Sequence, residues 1–429
     1  MSDWNFTPPP PSQLGDHDVP LDGTRLQGKR IALLITGGIA AMKAPMIARA
    51  LRRQGGEVVA FISQEGLRYT TTDTLEWSTT HPVVTRLTAA AEHLSDSTPF
   101  DAYLIAPATY NTINKIRHGI ADSLVTSVMA SALGKMERGE CRVLIAPTMH
   151  GSMHNSILTE SLRTLDAMGV RIIPPREDYG KHNIPDEQHL VLEVCRSLSR
   201  SPLRGMPVLV TGGPTPVPID SVRRITNRFS GKLGTKIAEE LAFRGADVLL
   251  IHGTNSYHPP DYLPCRVVST FDEYQDAVME ELGSKPYSAA VFSAAVADYA
   301  PRTVLPGKTP SGGALKNIEL VSTPKVIDAV RKKYPSLHMV TFKYQENISH
   351  EELMRIGRER LARGFETVIA NRGEETGPAG EQIAWLMTAG AEPVKMTGKE
   401  KIAAAIVDHL EDVARHLCRG TDSPPKYPE

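Results

Sequence analysis

Two glycine-containing segments in the second half of the chain have the residue types that hold phosphate. They are Gly212-Gly213-Pro214-Thr215 and Ser230-Gly231-Lys232, which lie between an apolar run at 208–210 and a helical pattern that begins at residue 235. Glycine lets backbone N–H groups approach an anion, and a helix start offers unpaired N–H groups at the positive end of its dipole. The spacing predicts a nucleotide-binding loop, although the glycines alone also fit a strand-to-helix turn without a ligand.

The first half contains a similar turn with a different pattern. Thr36-Gly37-Gly38-Ile39 follows the buried-strand pattern at 30–35 and does not have the Gly-x-Gly-x-x-Gly spacing of a dinucleotide site. Together with Ser63 and the polar loop 107–112, it predicts a site for a mononucleotide such as a flavin. His93 is a candidate general base near neutral pH, although a lone histidine of this kind is more often a surface residue.

The elements that must position these residues alternate between apolar strands and helical stretches in both halves. The predicted strands are 30–35, 58–62, 103–106 and 143–146, then 208–210, 247–251, 289–292, 338–342 and 367–370. Such alternation is typical of a parallel sheet with helices on both faces, in which ligands bind at the carboxyl ends of the strands. The sequence therefore predicts two doubly wound α/β domains, each with a site at that edge.

Length and composition are those of a two-domain soluble protein. The chain has 429 residues, 41% hydrophobic and 23% charged, with a net charge of −1, which offers no electrostatic reason for binding nucleic acid or an anionic membrane. Four scattered cysteines suit a reducing cytosol, and no apolar run approaches the length of a membrane span. We expect a cytoplasmic protein with small-molecule substrates. The predicted division is a disordered arm at 1–27, domains at 28–199 and 206–417, a linker at 200–205 and a disordered tail at 418–429.

The motifs of the two halves, taken in order, resemble the bifunctional coenzyme A biosynthesis flavoproteins, in which phosphopantothenoylcysteine decarboxylase is fused to phosphopantothenate–cysteine ligase. The resemblance covers roughly residues 28–410, and it is specific because two independent sets of motifs fall in the order of that family. It implies a flavodoxin-like (Rossmann-type) FMN domain followed by a Rossmann-like, parallel-sheet ligase domain. It also implies FMN, Mg²⁺ and CTP as cofactors and co-substrate, phosphopantothenate and cysteine as substrates, and a homo-oligomer.

In the decarboxylase half, the resemblance makes His93 the counterpart of the catalytic histidine and assigns Met149 and His150 to the substrate. The implied cofactor-binding residues are Gly37, Gly38, Ile39, Ser63, Pro107, Ala108, Thr109, Asn111 and Thr112. His150 stands where the family has an asparagine that holds the substrate carboxylate, and the flap cysteine has no counterpart, Lys181 being the nearest position. The implied chemistry is oxidation of a cysteinyl thiol by FMN, loss of CO₂ and return of the hydride.

In the ligase half, the resemblance implies that Asn227 and Lys308 are catalytic and that Asp298 helps to hold Mg²⁺. The implied substrate-binding residues are Gly212, Gly213, Ser230, Gly231, Lys232, Ala294, Ala295, Asp298, Phe342, Lys343, Arg363 and Asn371. Lys308 matches the first lysine of a Lys-x-Lys-Lys motif, whose later lysines are replaced by Pro310 and Ser311. The implied reaction forms an acyl-cytidylate, which the amine of cysteine then opens.

The departures in the first half leave alternatives open. The ligase can be active beside a degenerate half that binds flavin but is inactive or altered, or the chain can have a regulatory role. The pair Met149-His150 also leaves open a different substrate, such as a peptide with a C-terminal cysteine.

Overall fold

The structure is a computed structural model that describes residues 6–94, 96–254, 257–309 and 317–419. The chain divides into two compact units, Met1–Leu198 and Ser199–Glu429. Each unit has its own sheet and its own buried core.

The described part of the first unit is built on a parallel sheet with the strand order β2-β1-β3-β4-β6. Its strands are β1 (Arg30–Ile35), β2 (Glu57–Ile62), β3 (Ala102–Ala108), β4 (Arg142–Pro147), β5 (Met149–His150), β6 (Arg171–Ile172), β7 (Arg176–Asp178) and β8 (Lys181–Asn183). Its α-helices are α1 (Ala44–Arg52), α2 (Thr72–Thr79), α3 (Tyr110–Arg117), α4 (Leu124–Glu137), α5 (Ser156–Ala167) and α6 (Glu187–Leu198), and 3-10 turns span Ile39–Lys43, Gly66–Arg68 and Gly151–Met153. Every residue of β3 is buried, as expected for a central strand covered by helices on both faces.

The second unit, where it is described, has a larger sheet with the order β13-β12-β9-β14-β17-β18-β19-β20. Its strands are β9 (Pro207–Gly212), β10 (Val217–Pro218), β11 (Arg224–Ile225), β12 (Asp247–Gly253), β13 (Cys265–Val268), β14 (Ala289–Phe292), β15 (Tyr299–Pro301), β16 (Leu320–Ser322), β17 (His338–Gln345), β18 (Thr367–Arg372), β19 (Ile383–Thr388) and β20 (Val394–Thr397). Its helices are α7 (Lys232–Phe243), α8 (Phe271–Ser284), α9 (Val326–Lys333), α10 (His350–Ala362) and α11 (Lys399–Arg419).

The sheet of the second unit is not parallel throughout. The pairs from β13 to β18 are parallel, but β18 pairs with β19 and β19 with β20 in antiparallel register. The prediction of strands ended at residue 370 and missed this extension, because a hairpin at the edge of a parallel sheet needs no intervening helix. The fold class is otherwise as predicted.

The amino-terminal prediction is wrong for part of the arm. Leu26 is fully buried and its amide donates to Gln54 O at 2.8 Å, while the amide of Asp22 donates to Arg53 O at 2.8 Å. Val19 is also buried. This segment packs on the first unit because scattered apolar residues in a proline-rich, polar stretch still find a hydrophobic surface, which composition does not reveal.

The predicted linker at 200–205 is a turn packed against the second unit. Leu203 is fully buried, and the amide of Gly205 donates to Gly245 O at 2.9 Å. At the other end, α11 continues to Arg419, two residues beyond the predicted end of the domain, and the rest of the predicted tail lies outside the described residues. No helix within the described ranges is long and apolar enough to cross a bilayer.

Candidate active sites of the two units

The first unit has a groove of about 1230 Å³ at the carboxyl ends of its parallel strands. The hydroxyl of Thr36, which follows β1, donates to Pro107 O at 2.7 Å and accepts the amide of Thr109 at 3.2 Å. Gly37 must be a glycine, because a Cβ there would lie 2.5 Å from Glu65 Cβ. The glycine turn after β1 is thus joined to the loop after β3, as the sequence predicts.

Helix starts face this groove and supply donors for an anion. Thr109 caps α3 by accepting the amide of Thr112, and Ser123 forms a capping box with Thr126 at the start of α4. Residues of both helix starts line the groove. Backbone N–H groups at helix N-termini bind phosphate well, so this part of the groove fits the phosphate of a mononucleotide.

Most of the predicted cofactor-binding residues line the groove. They are Gly37, Gly38, Ile39, Ser63, Pro107, Thr109, Asn111 and Thr112, joined by Met149 and His150. Ala108 is buried at the end of β3 and lies outside the lining. Sequence reasoning did not single out Arg86 or Lys115, two cations of the lining that follow no recognised motif.

A small antiparallel sheet places Lys181 and His150 side by side. β5 pairs with β8 so that His150 lies opposite Lys181 and Met149 opposite His182, and all four residues line the groove. His150 Nδ1 accepts the amide of Ser152 at 3.2 Å, so in the neutral ring the proton is on Nε2, which is then a donor.

His93 lies apart from the groove that its own unit forms. It is half-buried in a turn, it is not among the lining residues described, and its Nδ1 is buried without a hydrogen-bond partner. The buried ammonium of Lys135 on α4 bonds to Leu94 O and lies 2.9 Å from Asp96, so it anchors the segment that follows His93. The structure therefore does not bring His93 into the lining that the other predicted residues of this unit form.

The second unit has a groove of about 560 Å³ at the carboxyl end of its parallel strands. Two distant motifs meet there: the amide of Ala295 donates to Gly213 O at 2.9 Å, and Thr215 Oγ1 accepts the amide of Ala297 at 2.8 Å. Asn227 Nδ2 donates to Ala295 O at 2.8 Å. Asn227 thus ties the glycine loop to the 294–298 segment.

The glycines of this loop pack against protein as well as facing the groove. Gly213 and Gly231 both have left-handed backbone angles, with φ of +76° and +78°. A Cβ on Gly231 would lie 2.3 Å from His252 Nε2 and 2.5 Å from Gly213 N. Close packing around the buried His252 ring therefore requires glycine at 231, independently of any ligand.

The groove carries an excess of positive charge. Among the described lining residues, six are cationic and two are anionic: Lys232, Lys325, Lys343, Arg360, Arg363 and Lys399 against Asp298 and Asp328. Burial, followed by the nearby Arg360 guanidinium, lowers the pKa of Lys343. Burial and then Arg363 likewise lower the pKa of Arg360. Crowded cations of this kind favour a polyanionic ligand such as a nucleoside triphosphate.

The two acids of the groove are paired with cations. Asp298 forms an ion pair with Lys325, and Arg363 contacts both carboxylate oxygens of Asp328 at 2.8 and 2.9 Å. Asp298 and Lys325 are both largely exposed, so their pair contributes little stability and can exchange for a ligand.

Of the predicted ligase residues, all but two line this groove. Those present are Gly213, Asn227, Ser230, Gly231, Lys232, Ala294, Ala295, Asp298, Phe342, Lys343, Arg363 and Asn371. Gly212 lies behind the loop, and Lys308 is exposed on a separate loop, outside the described lining. Lys325 and Arg360 were missed, because a lysine after a proline and an arginine within a helix carry no sequence signal of a site.

Comparison with known proteins places both units in families. Residues 22–199 match the family model described as Flavoprotein, and residues 203–413 match the DNA/pantothenate metabolism flavoprotein C-terminal domain. The fold and the two grooves thus define a flavoprotein domain fused to a pantothenate-metabolism domain.

Similar proteins span nearly the whole chain. The coenzyme A biosynthesis bifunctional protein CoaBC of Thermococcus kodakarensis is 36% identical over 394 residues, covering 90% of this chain and 96% of the relative. The protein of the same name from Methanocaldococcus jannaschii is 29% identical, covering 92% and 97%. The solved structure of a DNA/pantothenate metabolism flavoprotein from Streptococcus pneumoniae has 26% sequence identity to this chain. The match covers 49% of this chain and 100% of that chain, with a TM-score of 0.44. The chain belongs to the family of the coenzyme A biosynthesis bifunctional proteins CoaBC, which confirms the resemblance inferred from the motifs.

Proposed function

We propose that this chain performs two consecutive steps of coenzyme A biosynthesis: CTP-dependent joining of phosphopantothenate to cysteine in the second unit, and FMN-dependent decarboxylation of the product in the first. The observation that carries the proposal is the pair of grooves. Each lies at the carboxyl edge of a parallel sheet and is lined by most of the motif residues of one of the two activities. Family membership over almost the full length supports both activities together.

In the ligase step, a carboxylate oxygen of phosphopantothenate bonds to the α-phosphorus of CTP, and pyrophosphate leaves. The amine of cysteine then attacks the acyl carbon, loses a proton and releases CMP. Both stages accumulate negative charge on phosphate oxygens, which positioned cations stabilise. Lys343, Arg360 and Lys325 are our candidates for this role within the groove, and Lys308 is the candidate from a loop outside the lining.

Magnesium fits this groove as part of the nucleotide complex. Among the described residues there is no cluster of three or more histidine, cysteine, aspartate or glutamate side chains that could hold a metal by itself. Mg²⁺ commonly binds through one or two carboxylates together with substrate phosphates and water. We therefore propose that Mg²⁺ enters with CTP and that Asp298 exchanges its ion pair with Lys325 for the metal.

The groove of the first unit fits FMN. The starts of α3 and α4 offer N–H groups to a phosphate, and Leu87, Met149 and Met153 give apolar surface for a ring system. When bound, FMN supplies the two-electron oxidant that accepts a hydride from the thiol-bearing carbon and returns it after CO₂ has left. Lys181 and the Nε2–H of His150 are our candidates for holding the substrate carboxylate.

We also propose that the protein is a homo-oligomer. His93, the candidate catalytic histidine, does not line the groove of its own unit, which suits a site completed by a second copy. Beside the glycine turn, Ile39, Met42 and Met46 are 60–70% exposed at a helical spacing, and they supply an apolar surface for such a contact.

One experiment reads both activities. The protein with FMN bound is given phosphopantothenate, CTP, Mg²⁺ and cysteine labelled with ¹³C in its carboxyl group, and pyrophosphate and ¹³CO₂ are measured. We expect both products, with CO₂ appearing after a lag. Pyrophosphate without CO₂ would indicate the degenerate decarboxylase, and neither product would favour a regulatory role.

The variant Lys308→Gln separates the two activities. Given ready-made phosphopantothenoylcysteine, we expect it to release CO₂ at the normal rate. Given phosphopantothenate, CTP, Mg²⁺ and cysteine, we expect it to release pyrophosphate at least about tenfold more slowly, a loss of roughly 1.4 kcal/mol of transition-state stabilisation. Pyrophosphate release at the unchanged rate would contradict the role of Lys308. Faster CO₂ release from a peptide with a C-terminal cysteine would point to the other substrate class.

A further inference from the structure

Asp220 is a buried carboxylate outside the groove of the second unit. Its side chain has no exposed surface, and each of its oxygens accepts two hydrogen bonds. Oδ1 accepts the amides of Val222 at 2.8 Å and Arg223 at 2.7 Å. Oδ2 accepts the Arg223 guanidinium at 3.1 Å and the amide of Thr309 at 3.2 Å. The carboxylate therefore joins its own hairpin to a segment almost ninety residues further along the chain.

The segment held in this way carries Lys308. The amide of Leu305 donates to Ile219 O at 3.0 Å, and the amide of Ser221 donates to Gly307 O at 3.3 Å. With the bond from Thr309 to Asp220, hydrogen bonds flank Lys308 on both sides. The backbone at Lys308 is thus fixed while its side chain stays exposed.

The charge of Asp220 suits this connection. The amides of Val222 and Arg223 hold the pKa of the carboxyl well below its usual range, so it is ionised at neutral pH. An ionised carboxylate is an acceptor only and has about four lone-pair sites, all of which are used here. An asparagine in place of Asp220 would have the same shape but only one side-chain oxygen. Its NH₂ group would face the N–H donors that now bond to Oδ2 and could not accept their hydrogen bonds.

The contacts of Asp220 join loops and not the hydrophobic core. They connect the hairpin of β10 and β11, which has exposed residues at 221–225, to the loop at 305–309. Asp220 is absent from the buried apolar cluster around β9, β14 and α8. Removing the charge should therefore release the loop while leaving the sheet and the groove in place.

We propose that Asp220 is a positioning residue for the ligase step: it holds the 305–309 segment so that Lys308 is presented at a fixed place beside the groove. This inference rests on the proposed function, because it takes Lys308 as a residue that meets phosphate during acyl transfer. Asp220 touches neither nucleotide nor acyl group in this scheme.

The test is Asp220→Asn in the full chain with FMN bound. We expect kcat for CTP-dependent pyrophosphate release to fall about 10- to 100-fold, with KM for CTP changed less, because the groove itself is intact. Hydrogen exchange of the 305–309 amides should accelerate, whereas that of β9 and β14 should not. CO₂ release from phosphopantothenoylcysteine should be unchanged.

A double-mutant cycle separates positioning from general damage. In the Lys308→Gln background, Asp220→Asn should cause no further loss of kcat, since residues that act as a unit are not additive. Glu366→Gln is the matched control: this carboxylate also bonds an arginine, Arg331, and a backbone amide, that of Met339, but lies at the opposite end of the strands. It should leave kcat unchanged.

Additive losses in the cycle, or unchanged exchange at 305–309, would overturn the inference. The experiments distinguish failure of the proposed role of Lys308 from failure of the proposed role of Asp220. If Lys308→Gln alone leaves turnover unchanged, the proposed role of Lys308 is wrong, and the exchange measurement still decides whether Asp220 holds the segment.

Discussion

Single lysines in the ligase groove work in an electrostatic field that neighbouring residues create. Lys343 is partly buried beside Arg360 and Lys325, and both its burial and these cations lower its pKa, while Asp298 opposes them. A bound triphosphate would reverse this balance, because an anion favours the charged ammonium. Affinity for CTP and the protonation of Lys343 should therefore be linked.

We predict that CTP binding takes up a proton at alkaline pH. Binding of the anion raises the pKa of Lys343 above its lowered value in the free protein. At a pH between the pKa of the free protein and that of the complex, the complex therefore holds more protons than the free protein. Affinity should fall as pH rises through the free pKa. Calorimetry at alkaline pH, in two buffers of different ionisation enthalpy, measures the uptake.

Two variants make this measurement specific to Lys343. Lys343→Gln should abolish the proton uptake and weaken CTP binding at neutral pH. Lys332→Gln removes an exposed lysine of α9 that lies outside the groove lining and should change neither. Uptake that persists in Lys343→Gln would contradict the assignment.

At the scale of elements, a hydroxyl and two imidazoles join β17, β18 and α11 near the amino ends of the strands. Thr367 Oγ1 lies 3.2 Å from His338 Nε2 and 2.8 Å from His409 Nε2. Burial, then His409 and Arg331, lowers the pKa of His338 to about 4. Burial also lowers the pKa of His409, which Asp412 partly offsets. Both rings are therefore neutral when α11 is docked at neutral pH.

We predict that the second unit loses stability as pH falls from about 6.5 to about 4. The unfolded chain, with ordinary histidine pKa values, binds more protons in this window than the folded one, so the free energy of unfolding decreases with falling pH. The part due to His338 is about 2 kcal/mol, allowing for partial solvent access. Urea unfolding followed by Trp385 fluorescence across this range checks it.

Two histidine variants test whether His338 causes this pH dependence of stability. His338→Gln should flatten the pH dependence between these limits, because glutamine keeps a polar partner for Thr367 but does not titrate. His258→Gln, at an exposed histidine of the same unit, should leave the slope as it is. Equal slopes for the wild type and His338→Gln would refute the linkage.

At the scale of the whole molecule, the exposed apolar residues after the flavin turn carry the proposal of self-association. Ile39, Met42 and Met46 are 70%, 61% and 60% exposed. Their spacing of three and four residues puts them on one side of the 3-10 turn and of α1. Apolar contacts of this kind gain about 25 cal/mol per Å² when a second copy covers them.

We predict that Met42→Glu combined with Met46→Glu lowers the mass of the assembly in light scattering and reduces retention of FMN. Two carboxylates cannot be desolvated cheaply in an apolar contact. Val394→Glu, at another residue that is 54% exposed, is the matched control on the second unit and should change neither property. A monomeric wild type, or an unchanged mass in the double variant, would rule out this surface as the contact.

The sequence by itself determined the alternation of parallel strands and helices up to β18 and the identity of the two motif sets, but not the hairpin of β19 and β20. Those signals are local: residues 31–35 of the first strand are all apolar because both faces of the strand are covered, and glycine turns follow such strands directly. Since parallel strands end at the same edge, local order also predicted a site at the carboxyl ends of the strands, which is where the structure brings Gly213 and Ala295 together.

Only the tertiary structure decided which unmarked side chains join the sites. Lys325 and Arg360 enter the ligase groove, and Lys181 comes to lie opposite His150, through strand pairings and helix packing that sequence spacing does not encode. The burial of Leu26 and the hydrogen bond from the amide of Thr309 to Asp220 are likewise long-range. A pattern read along the chain reports the local period of burial, whereas these contacts depend on where distant segments are brought together in space.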